Sequence, residues 1–570
     1  MGNSIGSPLG YYSSLSKMLG VTQPTTSTED VEWEIEGLGR VLGKTFEVDE
    51  GRKVHAFLGV PFAKCGSGQD RFKKPQPIEP WEGVRDCRDF GPRSLQIDMF
   101  WDYLLTPVPQ NEENCLHVNI FVPELDESEK TGEGIPVMTF LHGGGFVMQS
   151  SANYGDKQIC RNLCKHGVIV CVIQYRLGLL GFMSTGTPEC AGNWGLWDQR
   201  EAFLWIQKYI NSFGGDKNNV TAFGQSAGAA SIDLLSVSPH CRGLFKRMIL
   251  MGGNAASEWS LGRRDRIIDA AAEVAIKAGW KGSTDNPSDL VSFLRQLPSE
   301  QCKAVNPIFS NSVFNRNKNG LVFVPVVDGD FLPEPVAELR KKAPKVHAII
   351  GTTDFEALLF IAIGRRAQSD MVSFEKQLQV SIPSDCRQFE LLRDEARNLY
   401  LSKINAKDKV EVAKSFMRLY SDSLMNNSTH TYVDLMTAAG HEIYLYNFTY
   451  CNPSSFGLFA YRVPFIGATH CYELRYLFGK GMFSKFRPNS DDLKMLDMMT
   501  RMFTNYAKSG NPNYNPLEPI WHPTTQENTY LHLQFDVVPK FIDNYQERRA
   551  QFWEKVDRIR HQDENSNEVK

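Results

Sequence analysis

The sequence predicts an α/β protein built on a large, mostly parallel sheet with helices on both faces. Three observations carry that expectation. Short apolar runs bounded by turn residues alternate with longer helical patterns along most of the chain. The runs are near-continuously apolar instead of alternating, as strands covered on both faces must be. The composition is that of ordinary globular proteins, 42 % hydrophobic and 22 % charged, with 62 Lys+Arg against 66 Asp+Glu giving a net charge of −4 over 570 residues. This balance excludes a largely disordered chain, a collagen-like repeat and a strongly basic nucleic-acid binder.

Taken in order, residues 1–30 are rich in Ser, Thr and Gly and read as a flexible lead-in. Beyond them no repeat, low-complexity linker or composition break divides the chain. Length alone suggests roughly three or four domains of about 150 residues, yet a single domain over 31–556 fits better, followed by a polar tail, 557–570. The candidate strands are 136–141, 167–174, 220–223, 246–251, 346–350 and 442–450. The aromatic series Tyr444, Tyr446, Phe448 and Tyr450 belongs to the last of them and reads as buried strand.

No run reaches the ~18 apolar residues of a membrane helix; the nearest, 348–364, is interrupted by Thr352, Thr353, Asp354 and Glu356. No basic segment followed by an apolar stretch opens the chain, so a secretory signal is not expected. Gly2-Asn3-Ser4-Ile5 resembles an N-myristoylation start, although Gly6 stands where Ser or Thr is preferred. Lipidation at Gly2 and a frayed terminus are both open readings. One acyl chain would give at most weak, reversible membrane association.

Gly224-Gln225-Ser226-Ala227-Gly228 follows the strand at 220–223 and precedes a helical run, 229–235. A serine on a sharp strand-to-helix turn is exposed at the end of the sheet, and the helix N-terminus aims free N–H groups at it. The pentapeptide alone is a weak signal; its strand-turn-helix context strengthens it. His142-Gly143-Gly144-Gly145-Phe146 comes directly after the strand at 136–141. Consecutive glycines let backbone N–H groups turn toward a developing negative charge. The two motifs in this order predict a serine nucleophile with an oxyanion loop.

A serine nucleophile needs a base, and in this arrangement the chain order is Ser, then Asp or Glu, then His. His441 precedes the strand at 442–450 and falls at the wrong end of the sheet. His470 lies in the loop after it, followed by a helical pattern at 473–478, and is the best base. The orienting acid should follow the strand at 346–350. Asp354 and Glu356 both satisfy that, and spacing does not choose between them.

At these residues the chain resembles the type-B carboxylesterase/cholinesterase family of α/β-hydrolases, over about residues 32–555. Further matching runs are Gly59-Val60-Pro61-Phe62-Ala63, Arg71-Phe72, Pro80-Trp81, Cys115-Leu116, Gly192-Asn193-Trp194-Gly195-Leu196, Asp198-Gln199, Phe213-Gly214-Gly215-Asp216 and Gly510-Asn511-Pro512. The resemblance implies an α/β-hydrolase fold and hydrolysis of neutral carboxylic esters. It implies Ser226 as nucleophile, His470 as base and Glu356 as acid. Gly144, Gly145 and Ala227 would be the oxyanion donors, with Trp259, Asn319 and Leu321 in the acyl pocket.

Departures from the family pattern refine this. Gln225 replaces the glutamate that precedes the nucleophile in cholinesterases, so choline esters are not the expected substrate. Met251-Gly252-Gly253-Asn254 stands where the family usually has Gln-Ser-Gly-Ser. Losing that serine removes a hydrogen bond near the acid and base, which slows turnover without abolishing it. The chemistry requires no metal or organic cofactor, and its partner is a small-molecule ester. Two alternatives share the resemblance: a non-catalytic interaction protein of the neuroligin type, and an acyltransferase using the same acyl-enzyme. The retained triad argues against the first.

The twelve cysteines include no C-x-x-C pair, and neither a His nor a second Cys pair near Cys160 and Cys164 completes a metal site. By the resemblance, Cys115 pairs in oxidising compartments with a cysteine at a position that here reads Ser94. A Cys87–Cys115 bridge stays open. The lost partner and the missing signal sequence favour reduced thiols and an intracellular, cytoplasmic enzyme. Asn219, Asn426, Asn427 and Asn447 begin N-x-[ST] patterns and are expected to be unmodified.

Overall fold

The computed structural model describes residues 29–98, 107–126, 129, 132–303, 321–364, 369–481 and 486–568. Gly2 and Asn319, expected to carry lipid and to line the acyl pocket respectively, lie outside them.

Among the described residues a 13-stranded sheet organises the fold. Its main path uses β1 (Glu29–Ile35), β2 (Gly39–Glu47), β3 (Lys53–Pro61), β4 (His117–Pro123), β5 (Ile135–Leu141), β6 (Ile169–Ile173), β7 (Gly215–Gln225), β8 (Arg247–Met251), β9 (His347–Thr353), β10 (Ile443–Phe448), β11 (Leu531–Phe535) and β12 (Lys540–Asp543). The strands lie in the order β1-β2-β3-β4-β6-β5-β7-β8-β9-β10-β11-β12. From β6 to β11 every neighbour is parallel; the strands outside that block pair antiparallel along the path. This is the mostly parallel sheet of an α/β-hydrolase.

Successive side chains on a strand point to opposite faces, and here the alternation feeds two separate cores. On β8, Met248 and Leu250 join one core while Ile249 and Met251 join the other. On β10, Ile443 and Leu445 face the first, and Tyr444, Tyr446 and Phe448 the second. Both faces are covered, so the strands tolerate no polar alternation. The helix after β7, α1 (Ala227–Val237), is buried at every position, which explains its small, apolar sequence.

Each expected strand is present, with shifts at the ends. The run at 220–223 is the apolar half of a longer strand that begins at Gly215 beyond an irregularity and continues to Gln225. β9 continues to Thr353, three residues beyond the expected end at 350. The first strand starts at Glu29, inside the expected lead-in. The C-terminal helix runs Ala550–Glu568 across the expected boundary at 556. The apolar stretch at 348–364 divides between β9 and a short helix, Leu358–Ile363. Among the described residues no helix is long and apolar enough to cross a membrane.

Candidate active site

β7 delivers the chain to Gln225 and α1 begins at Ala227, so Ser226 alone makes the turn. It does so at φ 57°, ψ −124°, a conformation that costs a non-glycine residue of order 1–3 kcal/mol. Tight packing holds it. A Cβ on Gly224 would lie 2.7 Å from the Gly228 carbonyl carbon, and one on Gly253 would lie 2.5 Å from the Ser226 oxygen. A side chain on Gly228 would strike the Leu141 carbonyl. The Ser226 N–H donates to Met251 O at 2.8 Å, and its own carbonyl accepts from Ala230 N at 2.9 Å.

The glycine loop after β5 lies against this turn. A Cβ on Gly143 would sit 3.0 Å from Ser226 Cβ. Gly144 and Gly145 adopt φ of 102° and 61°, the left-handed side that glycine reaches without penalty. Gly144 O accepts from the N–H groups of Val147 and Met148, both at 3.1 Å. Among the described residues no hydrogen bond engages the N–H of Gly144, of Gly145, or of Ala227 at the start of α1, so all three are available to an anion. The loop is braced from behind. His142 stacks on Tyr175 with ring centroids 4.4 Å apart, and Tyr175 Oη donates to His142 O at 2.8 Å. Burial pushes the His142 imidazole down to about 4, which keeps it neutral.

Glu356 and His470 meet beyond the ends of β9 and β10. His470 Nδ1 is 2.5 Å from Glu356 Oε2, with the side chains 3 % and 0 % exposed. The second carboxylate oxygen accepts from Thr353 N at 2.7 Å, and Thr469 bridges to Phe355. Of the two acids left open by spacing, Glu356 is therefore the one that reaches His470. Asp354 instead feels the charges of Arg418 and Arg549, and its amide donates to Phe448 O at 3.0 Å. His441 sits at the opposite end of the sheet, with Nδ1 2.9 Å from Val346 O.

Three neighbours surround this pair; the sequence places the lost serine near it, but not the contacts of Gln225 and Glu473. Gln225 Nε2 lies 3.1 Å from His470 Nε2 and 3.4 Å from Nδ1, so a neutral amide flanks the imidazole. Glu473 is fully buried with neither carboxylate oxygen hydrogen-bonded. Burial, reinforced by the Glu356 charge, pushes it up to about 8. Its place three residues after His470, at the start of the helical pattern, was the available signal. Gly252 stands at φ +56°, and a Cβ there would lie 3.2 Å from His470 Nδ1 and 3.3 Å from Glu356 Oε1. The position at which the family usually has serine thus faces the carboxylate–imidazole bond directly.

Trp259 is buried near Phe146 of the glycine loop, ring centroids 6.4 Å apart, with its indole N–H donating to Leu424 O at 3.1 Å. Leu321 is half-buried against the core. All twelve cysteines are free, so the Cys87–Cys115 bridge left open by the sequence is not formed; Cys115 Sγ lies 3.9 Å from Cys65 Sγ.

The model of the carboxylesterase family matches residues 28–553. The chain belongs to the carboxylesterase family. Among curated members of this family, esterase cest-33 of Caenorhabditis elegans is 35 % identical over 553 residues, 95 % of this chain and 97 % of the relative. The medium-chain fatty acyl-CoA hydrolase precursor of Anas platyrhynchos is 30 % identical, covering 90 % of each chain. Pyrethroid hydrolase Ces2a of Mus musculus is 30 % identical over 91 % of this chain and 90 % of its own. The protein is accordingly a carboxylesterase-family ester hydrolase.

Proposed function

We propose that this carboxylesterase hydrolyses neutral carboxylic esters through an acyl-enzyme on Ser226. The observation that carries the reading is the enclosed 2.5 Å contact between Glu356 and His470 Nδ1, because it sets the tautomer a serine nucleophile needs. His470 Nε2 takes the proton from Ser226 Oγ as that oxygen attacks the ester carbonyl carbon. The oxyanion is held by the N–H groups of Gly144, Gly145 and Ala227. The imidazolium, stabilised by Glu356, then protonates the departing alkoxide as the carbon–oxygen bond breaks. Water repeats the sequence, its proton passing to His470, and releases the carboxylic acid with Ser226 restored.

Gln225 beside His470 is neutral, so the site offers a cationic substrate no carboxylate at that position. Trp259 and Leu321 would bound the acyl group. Purified protein should turn over a p-nitrophenyl ester and be labelled at Ser226 by a fluorophosphonate, with both signals lost in Ser226→Ala. A fully folded wild-type protein that takes no label would overturn the proposal.

A further inference from the structure

Helix α2 (Asn427–Ala438) and the C-terminal helix α3 (Ala550–Glu568) bring three ligand-type side chains together. His430 Nδ1 lies 3.3 Å from Asp434 Oδ2 and 3.2 Å from Glu554 Oε1. All three ligand atoms lie within 4.8 Å of one another. We propose that His430, Asp434 and Glu554 form a binding site for a divalent first-row transition metal such as Zn2+, which clips the C-terminal helix to α2.

The spacing fits metal better than hydrogen bonding. Tetrahedral coordination with bonds of about 2.0–2.1 Å places ligand atoms roughly 3.3 Å apart, close to both distances at His430. A charge-assisted N–H···O bond would draw the atoms to about 2.7–2.9 Å. The imidazole is only 1 % exposed, yet its Nδ1 makes no hydrogen bond at all. Its other nitrogen, Nε2, lies 3.2 Å from Thr529 Oγ1. Donation of Nε2–H to that hydroxyl leaves the Nδ1 lone pair facing two carboxylates, the tautomer and orientation of a metal ligand. Stacking on Tyr530, with centroids 4.0 Å apart, fixes the ring plane.

The charge count points the same way. Among the described residues, neither Asp434 nor Glu554 pairs with a lysine or arginine; Glu554 also receives the Tyr530 hydroxyl at 3.5 Å. Their side chains are 38 % and 36 % exposed, leaving a path for an ion and room for water ligands. His430 and Asp434 share a helix face by their i,i+4 spacing, while Glu554 enters from more than a hundred residues away. A metal bound here would therefore couple two helices otherwise distant in sequence.

The test uses the full-length, tag-free protein, stripped with EDTA and titrated with ZnCl2 by calorimetry and with Co2+ by absorption. Wild type should bind one equivalent, show ligand-field bands with Co2+, and melt at higher temperature with Zn2+. Asp434→Asn and Glu554→Gln, both at partly exposed positions, should each weaken binding by roughly tenfold or more, since even an outer-shell partner contributes that much. Their ester turnover should stay at the wild-type level. The proposal is overturned if wild type binds no zinc, or if the double variant binds it as wild type does. It is equally overturned if zinc leaves the melting temperature unchanged while acidification alone raises it, since the cluster would then be a protonated imidazole between two carboxylates.

Discussion

His470 meets a single carboxylate at 2.5 Å with both side chains enclosed, whereas His430 faces two carboxylates at 3.2 and 3.3 Å beside solvent. Enclosure accounts for the difference. Around His470 burial leaves a second negative charge unscreened: Glu356 accepts from the Thr353 amide, while burial and the Glu356 charge drive Glu473 toward its protonated form. One charge and one proton path remain, which suits proton transfer. Around His430, solvent lets two carboxylates coexist, and the surplus negative charge suits a cation. The same residue types are thus placed for the two proposed chemistries according to how exposed they are.

The largest effect expected from this contrast comes from exchanging each carboxylate for its amide. Glu356→Gln should keep the fold but favour the wrong His470 tautomer, lowering kcat by about 10⁴. Glu554→Gln should leave kcat within the error of steady-state assays on the same p-nitrophenyl ester. Equal losses in the two variants would erase the functional distinction between the clusters.

A smaller loss is expected at Gly253, where a Cβ would press 2.5 Å from the Ser226 carbonyl. Gly253→Ala should displace the nucleophile without touching His470 or Glu356. A shift near 1 Å costs on the order of 100-fold, measurable as a lower kcat together with slower fluorophosphonate labelling. An unchanged labelling rate would mean that the turn at Ser226 does not depend on this packing.

The smallest effect is on stability and involves Glu473. Its value rises from an ordinary 4.5 to about 8 in the folded chain. The folded state therefore holds this proton more tightly than the unfolded state. The contribution is full below about pH 4.5 and is lost as pH rises toward 8. Glu473→Gln should flatten that decline, so that its melting temperature gains on wild type between pH 5 and pH 8.5. Parallel curves for the two proteins would show that Glu473 ionises freely.

Much of the site is legible in the chain because it is local. The turn at Ser226 needs Gly224 and Gly228 within two residues on either side, and the loop at 143–145 needs three glycines in a row. Neither demand can be met by a distant residue, so both are written as short motifs. His470 was legible by elimination, since His441 precedes β10 and His470 follows it. The choice between Asp354 and Glu356 was not open to spacing. It depends on how far β9 runs before it turns, and the strand continues three residues beyond its apolar core to Thr353.

By itself, then, the sequence determined the α/β class, the sharp strand-to-helix turn at Ser226, the glycine loop at 143–145 and the chain order in which Ser226, Glu356 and His470 follow their strands. Those features follow from apolar runs covered on both faces and from backbone conformations that only certain residues adopt. Spacing left Asp354 and Glu356 open, and the family resemblance pointed to Glu356. Tertiary structure makes its contact with His470, and alone decided that Gln225 and Glu473 surround that pair and that Glu554 joins His430 and Asp434. These are contacts between residues far apart in the chain. Their existence depends on register and helix packing, and their chemistry on how completely that packing removes water.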